Sequence, residues 1–214
     1  SFLKVYESKG FKLTPNKRRR TTDCNHVYKR YPNLIKGKDA RYSNHIGVSD
    51  STYVCILGYV LYLHLVTDAY SHAVLGWCLS DSLSASHTTE ALRMAIRIAG
   101  GGNLCGTIHH SDRGSQYASE AYVSCLMEHH IRISMTEGYE PTDNAMAERQ
   151  NGIFKVEWIY EQEMYRDKEQ AINEINRMID FYNNRRPHMS IGMECPMEVY
   201  KGKLPGKNLW RKRP

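Results

Sequence analysis

The chain has 214 residues, of which 41% are hydrophobic and 24% charged, a balance typical of a globular protein that buries a core of its own. Its apolar runs fall well short of the roughly 20 residues that a transmembrane helix needs, so we expect no membrane span. The net charge is +6, and it is divided unevenly along the chain.

The two ends of the chain are basic and the middle is acidic. Residues 1–43 contain 12 Lys or Arg against 3 Asp or Glu, residues 201–214 contain 6 against none, and residues 44–200 contain 11 against 20. Basic segments favour a polyanion through phosphate contacts and counterion release, although charged ends can equally serve solubility. We therefore predict a basic N-terminal extension (1–43), a core domain (44–200) and a basic C-terminal tail (201–214).

The predicted core opens with three strands. Apolar, β-branched and aromatic residues are concentrated at about 46–56, 59–68 and 72–80, and turn signals at 57–58 and 68–71 separate these stretches. This spacing predicts an antiparallel meander.

Helices and two further strands follow the meander. In chain order we predict a helix opened by Ser86 and ended by Gly100–Gly102, a strand at 104–109, a helix at 119–130, a strand at 131–135, a loop at 136–142, a helix at about 143–160, and a helix from Asp167 with Gln170 in a capping box. This order predicts an α/β protein whose five-stranded mixed sheet, three antiparallel strands and then strands joined by helices, is flanked by helices. It is the element order of the ribonuclease H-like fold.

The six cysteines are scattered, and none belongs to a CxxC motif or to a Cys/His run with zinc-ligand spacing. A domain of this size has little need of disulfides. We therefore expect reduced thiols in a cytoplasmic protein, most of them small buried apolar residues.

Three acidic residues are candidates for catalysis. Asp50 lies inside the first predicted strand, where Asp is disfavoured, so its presence there needs a reason. The alternative is that this position is a turn or a strand edge with a solvated carboxylate. Asp112 follows the fourth strand in the run HHSDRGSQY (109–117). The carboxyl end of a strand is a common place for functional groups on α/β folds, although Asp112 or Ser115 can instead cap the next helix.

The third acidic residue, Glu148, lies on the predicted long helix. Asn144, Glu148, Asn151 and Lys155 are spaced so that they share one face of that helix. A polar helix face is common without any site. Its meaning here comes from the other two carboxylates, since three carboxylates in one cleft repel one another unless cations lie among them. Oxygen-only ligands suit Mg²⁺ or Mn²⁺, and two such ions about 3.5–4 Å apart can serve phosphoryl transfer.

These segments resemble the catalytic core of DDE transposases and integrases, of the bacterial insertion-sequence type related to retroviral integrases. Thirty-five residues separate Asp112 from Glu148, the usual interval of that family. The matching blocks span about 21–200 and include Ser-Asp-x-Thr-Tyr (49–53), Thr-Asp-Ala-Tyr-Ser (67–71), Gly-Trp (76–77), HSDRGSQY (110–117), Asp-Asn-Ala-x-Ala-Glu (143–148), Phe-Lys (154–155), Tyr-Asn-Asn-Arg-Arg-Pro-His (182–188) and Cys-Pro-Met-Glu-Val-Tyr (195–200).

The resemblance implies a polynucleotidyl transferase that cuts a DNA strand and then transfers its 3′-hydroxyl to a target strand. Asp50, Asp112 and Glu148 are the implied ligands of two Mg²⁺ (or Mn²⁺) ions, and Lys155 is the implied contact to the DNA end. Further DNA contacts are expected from Asn144, Asn151, Arg113, Gln116, Arg185 and Arg186. The implied partners are double-stranded DNA, both element ends and target, and further copies of the chain. The expected location is the bacterial cytoplasm, at the nucleoid when acting.

Two alternatives remain open at this stage. A ribonuclease H-like nuclease would hydrolyse DNA without joining it, and a repurposed remnant would bind DNA with an idle metal site. The second alternative rests on the changes at Gly47 and Ser51, where the family usually has Trp and Ile. A third departure is His72, where the family usually has Arg. His109 and His110 are either metal ligands or, as strand-end histidines more often are, locally hydrogen-bonded.

Overall fold

The computed structural model describes residues 26–56, 59–102, 104–137 and 165–202. Its centre is a five-stranded sheet with the strand order β3-β2-β1-β4-β5. The strands are β1 (Ile46–Ile56), β2 (Tyr59–Asp68), β3 (Val74–Ser80), β4 (Ile108–Ser111) and β5 (Arg132–Met135). β1, β2 and β3 pair antiparallel, whereas β4 lies parallel to both β1 and β5. The predicted mixed sheet is therefore confirmed.

The strand boundaries agree with the sequence where the apolar pattern is long and differ where it is short. β1 and β2 have the predicted bounds, and β3 and β5 begin slightly later than predicted. The fourth strand was placed too early, at 104–109, and runs instead from Ile108 to Ser111. Leu104–Thr107 forms a turn closed by a hydrogen bond from Thr107 N to Leu104 O, in which Gly106 has a φ of +98°.

Three helices connect the later strands and lie on one face of the sheet. They are α1 (Ala85–Ile98) between β3 and β4, and α2 (Ser115–Ala118) and α3 (Glu120–Glu128) between β4 and β5. The N-cap of α1 is Ser84, which accepts a hydrogen bond from Ser86 N, so the predicted cap at Ser86 was two residues too late. α1 ends at Ala99, before the positive-φ residues Gly100 and Gly101. The single helix predicted at 119–130 is two helices, because Ser119 is extended and caps α3.

Two helices close the described chain: α4 (Lys168–Asn184) and α5 (Pro196–Tyr200). The predicted capping box at the start of α4 is present in modified form. Asp167 Oδ1 accepts from Gln170 N at 2.8 Å, and Gln170 Oε1 accepts from Arg166 N, one residue before the cap, at 2.9 Å. The predicted helix at 143–160 and most of the loop at 136–142 lie outside the described residues.

Both faces of the sheet are covered. On one face, α4 packs through its buried stripe against β1, β2 and β3. On the other face, α1 and α3 pack against the sheet and against each other. Asn183 fastens α4 to β3, since its side-chain amide accepts from Val74 N at 2.9 Å and donates to Val74 O at 2.8 Å. These contacts make the sheet a rigid platform for the ends of its strands.

Residues 26–43 contain no helix or strand, yet they lie against the sheet. Leu34 N donates to Ser134 Oγ at 2.8 Å, and Met135 N donates to Pro32 O at 3.3 Å. Leu34 and Ile35 pack on the apolar cluster at the start of β1 and β4. Packed structure therefore begins before residue 44, within the segment predicted as the N-terminal extension.

The burial predicted for the cysteines was wrong. Of the five described cysteines, all free thiols, only Cys125 is buried; Cys55 and Cys105 are exposed, and Cys78 and Cys195 are intermediate. Cys55 lies near the end of β1 and Cys105 in the turn before β4, where packing is incomplete. Within the described ranges, none of the helices has the length and apolar character that crossing a membrane requires.

Candidate active site

The sheet brings two of the three predicted carboxylates together. The parallel register of β1 and β4 pairs Gly47 with His109 and Val48 with His110. Asp50 lies two positions after Val48, and Asp112 lies two positions after His110. The parallel register therefore sets the two carboxylates side by side. Asp50 is partly buried between the buried residues Ser49 and Ser51, and Asp112 is the first residue after β4.

The charges of both carboxylates act on the buried hydroxyl group of Tyr117. Burial raises the pKa of Tyr117 well above its ordinary value, and the charges of Asp112 and then Asp50 raise this pKa further. Tyr117 is fully buried in α2, directly after the Asp112 loop. Asp50 and Asp112 therefore form one electronegative centre at the end of β4.

The backbone holds one oxygen of each carboxylate. Asp50 Oδ1 accepts from Ser51 N at 2.8 Å, and Asp112 Oδ1 accepts from Gly114 N at 2.8 Å. A Cβ atom added at Gly114 would lie 2.6 Å from Oε1 of Gln116, so a side chain at this position would require the Gln116 side chain to move. The loop is thus built to present Asp112 at a defined place beside Asp50.

The third predicted carboxylate, Glu148, lies outside the described residues, as do Asn144, Asn151 and Lys155. The other predicted DNA contacts are described. Arg113 donates through Nε to Thr136 O at 2.6 Å, and Gln116 is buried with 3% of its surface exposed. Arg185 is exposed, and the guanidinium of Arg186 lies 5.9 Å from the ring centre of Tyr182.

Ser51 joins the site to a buried chain of hydrogen bonds. Its Oγ lies 2.8 Å from the Tyr117 hydroxyl and 2.8 Å from His64 Nδ1. His64 Nε2 lies 2.9 Å from Ser80 Oγ, which donates to Ser82 O. Because Ser80 gives its proton to that carbonyl, it accepts from His64 Nε2, and His64 Nδ1 accepts from Ser51. Ser51 in turn accepts from Tyr117, so every donor in the chain is assigned.

A second buried cluster lies beside this chain. His109 Nε2, Ser49 Oγ and the Tyr122 hydroxyl are mutually within 2.7–2.9 Å. Burial, with a smaller contribution from His110, lowers the pKa of His109 to about 3. His110 Nδ1 lies 2.8 Å from Ser134 Oγ. Both histidines are therefore held by hydrogen bonds inside the core, as locally bonded strand-end histidines are.

The structure shows what surrounds the three residues that depart from the family pattern. At Gly47, an added Cβ would lie 3.3 Å from His109 Nδ1, beside a cavity of about 40 Å³ lined mainly by apolar side chains. At Ser51, His64 and Tyr117 satisfy the hydroxyl. His72 has a φ of +64°, and its ring stacks 5.6 Å from that of His188. Ser51 and His72 thus contact neighbouring side chains, whereas Gly47 lies beside a cavity.

A buried carboxylate outside the predicted site, Asp68, holds the turn after β2. It accepts from Ser71 N and Oγ at 2.8 and 2.7 Å and from Asn44 N at 2.8 Å. Burial raises its pKa, and these hydrogen bonds oppose that rise. The sequence placed Asp68 in a turn signal and in a family motif, and the structure shows the hydrogen bonds by which its carboxylate holds that turn.

Comparisons with known proteins agree with this geometry. Two family models, each described as integrase core domain, match residues 40–141 and 129–196. A protein of Mycobacterium tuberculosis assigned as the transposase of insertion sequence element IS986/IS6110 is 33% identical over 190 residues, which are 87% of this chain and 68% of that protein.

Two solved structures share the fold. The HTLV-2 integrase catalytic core domain, in complex with magnesium, aligns with a TM-score of 0.56 and 21% identity over 74% of this chain and 97% of that one. A simian T-cell lymphotropic virus intasome, in complex with PP2A regulatory subunit B56 gamma, aligns with a TM-score of 0.63 and 18% identity over 91% and 67%. The sheet order and these alignments confirm the ribonuclease H-like fold.

Proposed function

The chain belongs to the insertion-sequence transposases with an integrase core domain, and we propose that Asp50, Asp112 and Glu148 hold the metal ions with which it cuts and joins DNA. The membership makes it a DDE-class polynucleotidyl transferase. The observation that carries the assignment of residues is the register that sets Asp50 and Asp112 side by side on β1 and at the end of β4.

The described part of the site fits a hard divalent cation. Both side chains offer carboxylate oxygens, which Mg²⁺ and Mn²⁺ prefer over nitrogen or sulfur. The two negative charges already act on one buried hydroxyl, that of Tyr117, and such a pair of like charges is relieved when a cation binds between them. Glu148, from the family pattern, is the proposed third ligand.

The chain's own residues orient the reacting groups. Two bound divalent ions would supply activation of the attacking oxygen and stabilisation of the leaving oxygen. Asp50 and Asp112 are held by backbone N–H groups of Ser51 and Gly114, so little reorganisation is needed when the charges are neutralised. The attacking groups are water and then the freed 3′-hydroxyl of DNA, so no covalent bond to a protein side chain forms.

The remaining contacts and partners are part of the same proposal. Lys155, Asn144 and Asn151 would contact the element end, and the exposed Arg185 with Arg113 and Arg186 would contact DNA phosphates. The partner is double-stranded DNA, bridged by two or more copies of the chain, in the bacterial cytoplasm and at the nucleoid. The HTLV-2 neighbour was solved in dimeric and trimeric forms and the simian viral neighbour as an intasome, which supports an oligomer.

A strand-transfer assay tests the proposal. Labelled DNA with the sequences that flank the gene is incubated with the protein and Mg²⁺ or Mn²⁺, and cut and joined products are separated. We expect joined product with the natural chain, and a loss of at least a hundredfold with Asp50→Asn, Asp112→Asn or Glu148→Gln. The exposed helix residue Glu128 provides a matched control as Glu128→Gln. Cleavage without joining would support the nuclease alternative, and full activity of Asp112→Asn would refute the metal assignment.

A further inference from the structure

A second set of metal-ligand side chains lies on the opposite edge of the sheet from β5. Cys78 on the edge strand β3 faces His87 and Glu90 on α1, and the ligand atoms of all three lie within 4.8 Å of one another. Cys78 Sγ is already 3.4 Å from Glu90 Oε2. We propose that Cys78, His87 and Glu90 form a zinc site, with water as the fourth ligand.

The backbone around these residues is rigid. α1 crosses β3 at Gly76, where an added Cβ would lie only 2.0 Å from Ala91 O and 2.8 Å from Ala95 N. Cys78 follows Gly76 by two positions and so lies on the same face of β3. On α1, Glu90 directly precedes Ala91, and His87 lies one helical turn before Ala91. This close crossing therefore fixes the two elements that carry the ligands.

The geometry requires only a small closure. With bonds of about 2.0–2.3 Å, a tetrahedral zinc ion places its ligand atoms roughly 3.3–3.8 Å apart. Glu90 is exposed and Cys78 and His87 are partly exposed, so an ion can enter from solvent and the long Glu90 side chain can adjust. The ring of His87 stacks on that of the buried His64, with centroids 6.4 Å apart, which limits its tilt.

The ligand types select zinc over the ions of the catalytic centre. A thiolate and an imidazole suit Zn²⁺, whereas Mg²⁺ prefers oxygen alone. One thiolate and one carboxylate neutralise the double charge of the ion. Lys168, whose charge acts on Cys78, is paired with Asp81. The site is thus separate in position and in chemistry from Asp50 and Asp112.

Binding has a proton balance that can be measured. Burial, and then the charge of Glu90, raise the pKa of the Cys78 thiol to about 12, with Lys168 opposing this slightly. The thiol is therefore protonated at neutral pH, and zinc binding releases its proton to solvent. The apparent affinity should therefore rise with pH.

Cobalt(II) serves as the spectroscopic probe, with excess Mg²⁺ present to occupy oxygen-only sites. We expect one equivalent of Co²⁺ to give a thiolate-to-metal charge-transfer band that Zn²⁺ removes by displacement. Cys78→Ser abolishes the band, and Glu90→Gln and His87→Gln weaken binding at least tenfold. The exposed thiol of Cys105 gives the matched control, since Cys105→Ser keeps the band.

Several outcomes would overturn the zinc site. These are the absence of a band in the natural chain, a band that survives Cys78→Ser, and a band lost in Cys105→Ser. Zinc should also raise the melting temperature of the natural chain and of Glu128→Gln equally, and raise that of a folded Glu90→Gln by less. The Asp112→Asn variant should bind zinc normally, so failure of the catalytic proposal and failure of this one are distinguishable.

Discussion

Ser51 and His64 are directly opposite each other on β1 and β2, and their side chains meet through a hydrogen bond of 2.8 Å. Both are buried, with 4% and 1% of their surface exposed. The same Ser51 hydroxyl accepts from Tyr117, whose pKa is raised by burial and by the charges of both carboxylates of the proposed site. Ser51, which departs from the family's usual Ile, is therefore the centre of a chain of buried hydrogen bonds next to Asp50.

Replacing Ser51 by Ala should destabilise the protein by about 1–3 kcal/mol, because His64 Nδ1 and the Tyr117 hydroxyl lose a buried partner. Urea unfolding at pH 7.5 measures this change. Ser124 is an exposed serine in α3, and Ser124→Ala should change stability by less than about 0.5 kcal/mol. Equal stability of Ser51→Ala and the natural chain would show that the chain of hydrogen bonds contributes little.

The buried histidines should make stability fall at mildly acidic pH. Burial lowers the pKa of His64 to about 4 and that of His109 to about 3, from an ordinary 6.5. A lowered pKa contributes stability that is present above pH 6.5 and is lost as the pH falls towards the folded pKa. Each histidine should therefore cost on the order of 2 kcal/mol between pH 8 and pH 5.

Urea midpoints measured from pH 8 to pH 5 test this dependence. His64→Gln and His109→Gln should each flatten the profile, whereas His130→Asn, at an exposed positive-φ position, should leave its slope unchanged. A profile whose slope is the same in all four proteins would show that the two buried histidines are not the source.

The close crossing of α1 and β3 should make Gly76 intolerant of any side chain. In Gly76→Ala the added Cβ would clash with backbone atoms of Ala91 and Ala95 and push α1 away from β3. This should cost about 3 kcal/mol or more. Gly102 has nothing within 4 Å of an added Cβ, so Gly102→Ala should be near neutral. Thermal unfolding compares the two, and similar melting temperatures would contradict the crossing as described.

Within the motif at 182–188, we expect Asn183 to contribute most to the stability of the protein. Asn183→Ala removes both hydrogen bonds to the Val74 backbone, with an expected cost of about 2–3 kcal/mol. The neighbouring Asn184 is exposed, and its side-chain amide donates to Asp180 within α4, so Asn184→Ala should cost less than about 1 kcal/mol. Hydrogen exchange of the Val74 amide gives a local readout, since it should accelerate only in Asn183→Ala.

The sequence predicted those parts of the fold that depend on local pattern. β1 and β2 are runs of eleven and ten mainly apolar, β-branched and aromatic residues with turn signals at 57–58 and 68–71, which leaves little freedom in their bounds. β4 has only four residues, and the turn at Gly106 in front of it contains Leu104 and Cys105, which look like strand residues. The capping Asp167 was found because its signal lies within four residues.

The hydrogen bonds that surround the proposed site could not be predicted from the sequence. Asp50 and Asp112 were found from their own motifs, but the chain through Ser51, His64, Ser80 and Tyr117 depends on strand register and on where α2 is folded. The same holds for the cluster of Cys78, His87 and Glu90, whose spacing along the chain matches no zinc motif. Contacts between distant residues need the pairing of the sheet before they can be seen.

The central claim is that Asp50, Asp112 and Glu148 converge on divalent metal. A crystal structure of the protein soaked in Mn²⁺, with anomalous scattering recorded, tests it most directly. We predict anomalous peaks in contact with Asp50 and Asp112 and with Glu148 as a further ligand. Manganese bound elsewhere with none between Asp50 and Asp112, or a Glu148 carboxylate that points away from an occupied site, would contradict the account.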